Sequence, residues 1–504
     1  MKKTKFLFLV LLIGCGINST ESEEKPSGNE LPHIIYILAD DMGYGDLSSL
    51  NNESGIHTPH MDRIVREGIY FTDFHTNSAV CTPTRYGILT GRYAWRSRLK
   101  TGVLWGYDPP LIEPERITVA SFLQENGYHT ACVGKWHLGL GWQPKNPEKA
   151  IETKFRWDHA FEEGDDSNVD FSKQIIGGPA DLGFDYSYII PASLDMSPYV
   201  YIENKSVVEL PTAFTPGKNQ TVDGRGVFWR SGEVSPSFQF ENVLTTLTDK
   251  AVAYIHSREN EREPFFLYFP LTAPHTPWLP TDAVEGVSQA GRYGDFVTLV
   301  DQTVGAILEA LDESGLSEQT LIIVSSDNGA HWTPEDKEEF AHRANHIYRG
   351  QKADIYEGGH RVPFIARWPG RISPGSKTDE TMCSTDLLAT VSGIIGTPLP
   401  QGSGEDSYNM LAAYFAKKLE EPIREYTIHH SLNGHFSIRK GNWKLTPHLG
   451  SGGFTQPNND DPKEAGKNGT LYDLQKDPLE TTNLYNEQQE IVSELVAILD
   501  SVKQ

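Results

Sequence analysis

The chain is poor in cysteine. Only four of its 504 residues are cysteines, at positions 15, 81, 132 and 383. Secreted proteins that depend on a disulfide framework carry many more, so this class is excluded, although a single disulfide remains compatible with the number. Cys132 lies in the apolar run YHTACVG, which indicates a buried structural thiol, and we assign no role to Cys383. Cys81 differs from both, because a proline and an arginine follow it closely in NSAVCTPTRYGILTGR.

Basic residues are also in deficit. The chain has 44 Lys plus Arg against 68 Asp plus Glu, which gives a formal net charge of −24 at pH 7. Such a surface repels nucleic acid and anionic lipid at long range, so we expect no nucleic-acid partner. If the substrate is itself an anion, its site must reverse the local field with clustered cations and a metal.

Long apolar runs are missing after the N-terminus. MKKTKFLFLVLLIGCG has early lysines, an apolar run over 6–13 and then small residues, which is typical of an export signal too short to span a bilayer. LIGC resembles the lipobox of bacterial lipoproteins, so we predict a signal peptide over 1–14 and a lipid on Cys15; a plain secretory peptide cut nearby is the alternative. The polar, acidic residues 15–31 are typical of a flexible tether. The protein would then be an exported, membrane-anchored lipoprotein on the periplasmic side or the cell surface.

Short apolar runs alternate with helical patterns through most of the chain. The predicted buried strands cover residues 33–39, 128–134, 264–270, 320–327 and 362–368. These runs are apolar almost throughout, as strands covered on both faces are. The segments between them, such as DFVTLVDQTVGAILEALDESG, carry apolar stripes with helical periodicity. This alternation predicts an α/β fold, with a mostly parallel sheet sandwiched by helices.

The pattern changes after about residue 420. YTIHHSL, HFSIRKGNWKL and GTLYDLQ are closely spaced short strands joined by turn residues, and the chain closes with the helical pattern EQQEIVSELVAILDSV. We therefore predict a main domain over 32–420. A small α+β subdomain, an antiparallel sheet with one helix, would occupy 421–504.

Polar residues follow two of the predicted strands. Asp40 and Asp41 come after IIYILA, and Asp327 and Asn328 come after LIIVSS. Either pair alone is compatible with a helix cap or a surface turn. Both pairs at the carboxyl ends of buried strands favour an oxygen-only site for a hard cation, Ca²⁺ or Mg²⁺.

Cationic and imidazole side chains follow other strands. Lys135 and His137 share one face of the extended chain in GKWHLG, His275 lies between prolines in APHTP, and Lys352 lies in a glycine-rich loop. Each residue alone is compatible with a solvated surface charge or a backbone-bonded histidine. Together at one rim they would form the positive patch that an anion requires.

Cys81 is expected beside the N-terminus of a helix. Pro83 suits the first helical position and PTRYGILTG continues the pattern, so Cys81 would just precede the helix, where free N–H groups favour anions. Arg85 falls one turn into this helix and can turn back toward the cysteine. A thiolate nucleophile is one interpretation. Against this interpretation, a soft thiolate is a poor ligand for the hard cation that an oxygen-rich site binds.

These segments together resemble the formylglycine-dependent type I sulfatases. In that family the cysteine of C-x-P-x-R, here CTPTR followed by LTGR, is oxidised to formylglycine (3-oxoalanine). Further matching segments are ADDMGYGDL, GYHTACVGKWHLG, SSDNGAH, APHTP, GGHRVPFIARWPG and LYDLQKDPLETTNL, in family order from about residue 32 to 484. The resemblance implies a fold like that of alkaline phosphatase with a smaller C-terminal subdomain.

The resemblance also implies a role for each site residue. The implied ligands of Ca²⁺, with Mg²⁺ as the alternative, are Asp40, Asp41, Asp327, Asn328 and the formylglycine formed from Cys81. The residues implied to act on the sulfate group are Arg85, Lys135, His137, His275 and Lys352. Among these, the lysines would hold sulfate oxygens, the histidines would move protons, and the arginine would steady the formylglycine hydrate. Ser193, with Asp195 beside it, is a candidate substrate contact.

The implied reaction is hydrolysis of a sulfate ester. One hydroxyl of the hydrated aldehyde attacks sulfur, His275 protonates the departing alcohol, and His137 takes a proton from the second hydroxyl so that sulfate is released. The implied partners are a sulfated glycan and the enzyme that generates formylglycine. Thr84 stands where the family more often has serine or alanine, which bears on the efficiency of this maturation.

The expected substrate is a sulfated polysaccharide or its oligosaccharides. We favour algal polysaccharides such as ulvan or carrageenan over glycosaminoglycans. Two alternatives remain: a formylglycine-dependent phosphonate or phosphate ester hydrolase, and a catalytically silent glycan-binding lipoprotein. The aromatic residues in predicted loops that could stack on sugars are Trp105, Tyr107, Trp142, Trp229, Trp278 and Trp332.

We expect residue 81 to be formylglycine in protein produced together with a formylglycine-generating enzyme. Mass spectrometry of the tryptic peptide that ends at Arg85 would show a mass below that of the cysteine form, and an aldehyde-reactive probe would label it. The Cys81→Ala variant is the unlabelled control. Exported protein that always carries an unmodified cysteine would contradict this expectation and favour the silent glycan-binding protein.

Overall fold

In the computed structural model, a ten-stranded mixed sheet forms the centre of the fold. In order across the sheet its strands are Ser376–Thr378, Ile69–Phe71, Phe364–Arg367, Thr320–Ser326, His33–Asp40, Phe265–Pro274, His129–Lys135, Tyr186–Ile190, Ile202–Glu203 and Ser206–Val207. The five neighbours from strand 320–326 to strand 186–190 all run parallel. This parallel centre confirms the predicted α/β architecture.

The structure describes residues 31–152, 162, 166–222, 225–459 and 468–503. The predicted signal peptide, Cys15 and the predicted tether up to residue 30 lie outside the described residues. Residues 32–504 form one compact unit. In the described ranges, no helix is both long enough and apolar enough to cross a membrane.

Side chains of the central strand alternate between the two faces of the sheet. Ile35, Ile37 and Ala39 belong to the main hydrophobic core together with helices 59–67, 243–257 and 291–313. Tyr36 lies on the other face, because successive strand residues point to opposite sides. Helices 81–90, 119–125 and 387–395 contact one another as a second group. Both faces of the sheet are thus covered, which explains why its central strands are apolar almost throughout.

The helices range from single turns to 23 residues. The helices of the described residues are Pro59–Glu67, Cys81–Thr90, Val119–Glu125, Val243–Ser257, Gly291–Glu313, Pro334–Glu339, Glu357–His360, Leu387–Ile395, Leu411–Tyr414 and Gln489–Lys503. Single 3₁₀ turns occur at Tyr44–Asp46, Ala94–Arg96, Pro179–Asp181, Phe240–Asn242, Ser317–Gln319 and Ser384–Asp386. Three two-stranded pairs are Phe74–His75 with Met382–Cys383, Ala213–Thr215 with Gly232–Val234, and Lys218–Val222 with Arg225–Trp229.

The C-terminal region contains the predicted antiparallel sheet and closing helix. Its strands in order are Thr427–His430, Phe436–Lys440, Trp443–Thr446 and Thr470–Asp473. Helix 489–503 packs against this sheet, and Tyr93 and Trp95 from the main part of the chain belong to the same hydrophobic cluster. The C-terminal sheet is therefore joined to the rest of the unit by a shared core.

One predicted strand differs in direction from its neighbours. Strand 364–367 runs antiparallel to strand 320–326. A parallel return requires a crossover connection, usually a long helix. The connection over 327–363 contains only the short helices 334–339 and 357–360, so the chain turns back along the sheet.

Candidate active site

Four parallel strands bring predicted site residues to one edge of the sheet. Asp40 and Lys135 are the last residues of their strands, and Asp327 and His275 directly follow two others. The four strands are consecutive neighbours in the sheet. Their carboxyl ends therefore meet, as they do around the sites of other open α/β sheets.

The acidic and amide side chains form a buried cluster. The Asp41 backbone N–H donates to Asp327 Oδ1 at 3.2 Å, and Asn328 Nδ2 donates to Asp41 Oδ1 at 2.7 Å. Among the described residues, buried oxygens Asp40 Oδ1 and Asn328 Oδ1 have no hydrogen-bond partner. Buried polar atoms normally have partners. Two orphaned oxygens in an all-oxygen cluster fit a hard divalent cation such as Ca²⁺ or Mg²⁺.

Three cationic side chains surround this cluster. Lys135 Nζ donates to Asp40 Oδ2 at 2.5 Å, and Lys352 Nζ donates to Asp41 Oδ2 at 2.8 Å. Arg85 donates to Asp327 Oδ2 at 2.7 and 3.0 Å. All three cations are at most 8% exposed. The predicted Lys135 and Lys352 thus converge with Arg85 on one buried cluster, where each cation is paired with a carboxylate.

The carboxylates repel each other across the cluster. Burial would raise the pKa of Asp40, but the charges of Lys135, His275 and Arg85 hold that pKa below its usual value. Burial and the neighbouring charge of Asp40 raise the pKa of Asp327. A divalent cation would relieve this repulsion.

Cys81 is the first residue of helix 81–90, not a residue before it as predicted. Its N-cap is the extended Val80, so the helix begins two residues earlier than Pro83 indicates. The cysteine is 3% exposed, and burial raises the pKa of its thiol to about 11. Burial of the thiol thus disfavours a thiolate nucleophile at this position. Thr84 donates through Oγ1 to the Ser78 carbonyl at 3.0 Å. Threonine at this position thus supplies a hydroxyl, as the serine more common in the family would.

The two predicted histidines have different surroundings. His137 Nε2 donates to the Leu104 carbonyl at 2.7 Å, while the buried Nδ1 has no partner in the described part of the chain. Burial, with Lys135 and Arg85 nearby, holds the pKa of His137 well below its usual value, so the ring is neutral. His275 Nδ1 donates to the Thr276 carbonyl at 2.5 Å, which leaves Nε2 3.8 Å from Asp41 Oδ2.

The structure brings Ser193 and Asp195 to the same site. Lys135 Nζ donates to Ser193 Oγ at 3.2 Å, and Ser193 Oγ is 3.3 Å from His275 Nδ1. The Asp195 carboxylate forms an ion pair with Arg230 and lines the pocket above Cys81. Asp195 therefore lies at the pocket wall, whereas Ser193 is buried next to Lys135 and His275, and their contact with substrate stays a prediction.

An open pocket lies over these groups. Its lining includes Asp41, Cys81, His275 and Lys352, and also residues that sequence reasoning missed. The missed lining residues are Val80, Val103, Met196, Arg225, Phe228, Arg230, Pro274, Thr276, Tyr293, His331, Leu432 and Phe454. Most lie in loops and short hairpins with no periodic pattern, although Pro274, Thr276 and His331 belong to the quoted segments APHTP and SSDNGAH.

The aromatic residues predicted to contact sugars lie in different environments. Trp278 lines the pocket. Trp142, Trp229 and Trp332 are at most 9% exposed and pack in the interior. The ring of Trp105 lies 5.2 Å from the Arg230 guanidinium. Buried Tyr107 donates through its hydroxyl to Glu233 at 2.6 Å.

Two family models match the chain. The sulfatase model matches residues 32–397, and a model described as N-sulphoglucosamine sulphohydrolase, C-terminal, matches residues 348–504. An N-acetylgalactosamine-6-O-sulfatase of Bacteroides thetaiotaomicron is 33% identical over 98% of this chain and 97% of its own length. Human arylsulfatase A is 30% identical over 90% of this chain and 83% of its own.

A solved structure is similar over nearly the whole chain. It is a protein of Bacteroides thetaiotaomicron described in connection with the metabolism of multiple glycosaminoglycans, with a TM-score of 0.79 and 33% identity. The match covers 94% of this chain and 99% of that one. The likeness therefore extends over both the main part and the C-terminal region.

We expect Ca²⁺ to stabilise the protein, because an ion that binds only the native state raises the free energy of unfolding. At about 100 times its dissociation constant the gain is about 2.7 kcal/mol. The Asp40→Asn variant should lose this gain, since it removes one anionic ligand. Thermal unfolding after chelation, with and without added Ca²⁺, measures the effect.

The matched control is Asp282→Asn, which removes the same charge at an exposed position outside the cluster. It should keep the full Ca²⁺ shift. An equal shift in Asp40→Asn and in the unsubstituted protein would show that the ion binds elsewhere.

Proposed function

Because the chain belongs to the sulfatase family, and is therefore a sulfuric ester hydrolase, we propose that it removes sulfate from a sulfated glycan with a formylglycine at position 81 and a divalent cation. One observation carries this proposal. In a protein of net charge −24, Cys81 lines one pocket with His275 and Lys352, directly over the buried oxygen cluster. The alternative of a catalytically silent glycan-binding protein does not account for this complete set of reactive groups.

Two groups would complete the chemistry. Formylglycine, when hydrated, supplies one hydroxyl that attacks sulfur and a second whose loss of a proton releases sulfate. A Ca²⁺ or Mg²⁺ ion, held by Asp40, Asp41, Asp327 and Asn328, supplies positive charge next to position 81. Maturation of Cys81 by a formylglycine-generating enzyme belongs to the same proposal.

The buried cations would hold the sulfate group. Lys135 and Lys352 each have an ammonium group paired to a carboxylate of the cluster. Burial would lower the pKa of Lys352, but Asp41 raises that pKa above its usual value, so this side chain stays charged. Preorganised positive charge stabilises the negative oxygens of a transition state more than it stabilises the ground state. Arg85 is fixed by Asp327 and by the Lys135 carbonyl, and would orient the residue at position 81.

The histidines would move protons at opposite stages. Neutral His137 has a buried Nδ1 with no hydrogen-bond partner among the described residues, so this atom can accept a proton from the second hydroxyl. His275 lines the open pocket, and Ser193 and Asp41 lie near its ring. It is therefore suited to donate a proton to the alcohol that leaves toward the pocket.

One relative supports an amino sugar as the substrate. The bacterial relative that matches nearly the full chain is named for 6-O-sulfated N-acetylgalactosamine, so we propose this sulfated sugar as the substrate. Algal polysaccharides such as ulvan or carrageenan, which the sequence analysis favoured, are the competing class. Phosphate or phosphonate esters are the alternative reaction. Export, lipidation of Cys15 and anchoring at the cell envelope remain predictions from the N-terminus.

We expect matured protein supplied with Ca²⁺ to release sulfate from 6-O-sulfated N-acetylgalactosamine with a higher kcat/KM than from ulvan or carrageenan oligosaccharides. Sulfate would be measured by ion chromatography, and Cys81→Ala protein from the same expression should release none. Turnover of 4-nitrophenyl phosphate exceeding that of 4-nitrophenyl sulfate would instead assign the phosphate ester reaction. Hydrolysis of the algal oligosaccharides alone would replace the proposed substrate.

Replacing His275 by Ala should affect substrates according to their leaving groups. A sugar alkoxide needs a proton to depart, so kcat/KM for the sulfated sugar should fall by about 10²–10⁴-fold. Because 4-nitrophenolate leaves without protonation, the loss on 4-nitrophenyl sulfate should be far smaller. Both substrates are assayed with one preparation, so unequal formylglycine content cancels. Equal losses on both substrates would exclude His275 as the general acid.

A further inference from the structure

The C-terminal region contributes directly to the pocket. Leu432 and Phe454 line it together with Cys81, His275 and Lys352. Phe454 is only half-buried, unlike the aromatic residues of the cores. A partly exposed aromatic ring in the wall of a pocket can contact a bound ligand.

Asp354 holds the segment that carries Phe454. This carboxylate is fully buried, and its Oδ1 accepts the backbone N–H groups of Phe454 at 2.8 Å and Thr455 at 3.0 Å. Its Oδ2 accepts the Thr455 hydroxyl at 2.5 Å and the Gln351 N–H at 3.0 Å. The Asp354 carboxylate therefore joins the segment around Phe454 to residues 349–354, the loop that contains Lys352 (the lysine loop). Hydrogen bonds to a charged acceptor are stronger than those between neutral groups.

The lysine loop is itself bonded to the reaction centre. The Lys352 N–H donates to the Ala330 carbonyl at 3.0 Å, and the Ala353 N–H donates to the Ala79 carbonyl at 2.8 Å. Ala79 lies two residues before Cys81. Phe454 is thus fixed, through Asp354, relative to both the sulfate-binding lysine and the nucleophile position.

A second ring supports Phe454. The His331 ring lies 4.8 Å from the Phe454 ring, at an interplanar angle of 37°. Burial, with Arg225 and Lys352 nearby, lowers the pKa of His331 well below its usual value, so the ring is neutral. An uncharged imidazole packs on the phenyl ring without drawing an anion toward it.

We propose that Phe454 is the stacking platform for the C–H face of the sulfated sugar, and that Asp354 is the residue that positions it. A pyranose presents several C–H groups on one face, and this patch is largest in galactose-configured sugars because the axial hydroxyl points to the other face. An aromatic ring binds such a patch, and the lysines hold the sulfate of the same sugar. This inference rests on the proposed function and specifies how the sugar ring itself is recognised.

The test compares two substrates with the same kind of leaving group. 6-O-sulfated N-acetylgalactosamine and ethyl sulfate both release a primary alcohol, but only the first has a sugar ring. The ratio of their kcat/KM values in one preparation cancels formylglycine content and the efficiency of protonation. Phe454→Leu should lower this ratio about tenfold, mainly through KM, because an aliphatic side chain fills the wall without stacking. Phe454→Trp should keep it within about threefold, since the aromatic face remains.

The control is Phe415→Leu, the same substitution at a half-buried phenylalanine outside the pocket, which should leave the ratio unchanged. Equal ratios in the Leu and Trp variants, or equal losses on both substrates in Phe454→Leu, would overturn the proposal. An unsubstituted protein that hydrolyses ethyl sulfate but no sulfated sugar would overturn the proposed glycan function as well.

The positioning role has its own readout. In an Asp354→Asn background, Phe454→Leu should cause no further loss in the ratio, because the platform is already displaced. Thr455→Val, which removes one hydroxyl donor to Asp354, serves if Asp354→Asn does not fold, and should lower the ratio in part. Full additivity of the losses at positions 354 and 454 would reject the positioning role.

Discussion

The structure depends on one electrostatic constraint: several charges of both signs are buried together at the carboxyl edge of the sheet. A buried charge without a partner is costly, so Asp40, Asp327, Lys135 and Arg85 stabilise one another only as a set. Asp40 Oδ1 still lacks a hydrogen-bond partner in the described part of the chain. A buried oxygen that lacks a hydrogen-bond donor suits the cluster to binding a divalent ion.

The sheet provides the rigid frame for these charges. Parallel strands covered on both faces end at one edge, so residues hundreds of positions apart meet without relying on long loops. Cys81 is presented by a helix whose ten residues are all buried, which leaves its side chain little freedom. Asp40, Lys135 and the nucleophile position therefore belong to regular elements, while Lys352 and most of the substrate-facing wall belong to loops.

Features set by local sequence could be predicted, whereas those set by the connections between elements could not. Strand 33–40 was predictable because a strand buried on both faces must be apolar throughout, and the residue after it had to be polar to reach the site. The start of helix 81–90 was misplaced, since proline at the third helical position is tolerated as well as at the first. The antiparallel direction of strand 364–367 was not predictable, because direction depends on the connection and not on the strand itself.

The amino-acid sequence by itself determined the alternating elements and the identity of the reactive groups, because periodicity and side-chain chemistry are local properties. Tertiary structure alone decided which loops complete the pocket. At the pocket, Asp354, a hundred positions earlier, accepts the Phe454 N–H, and Arg230 pairs with Asp195. These contacts join segments that are distant in sequence and carry no periodic pattern. Only the packed structure therefore shows that these residues lie at the pocket.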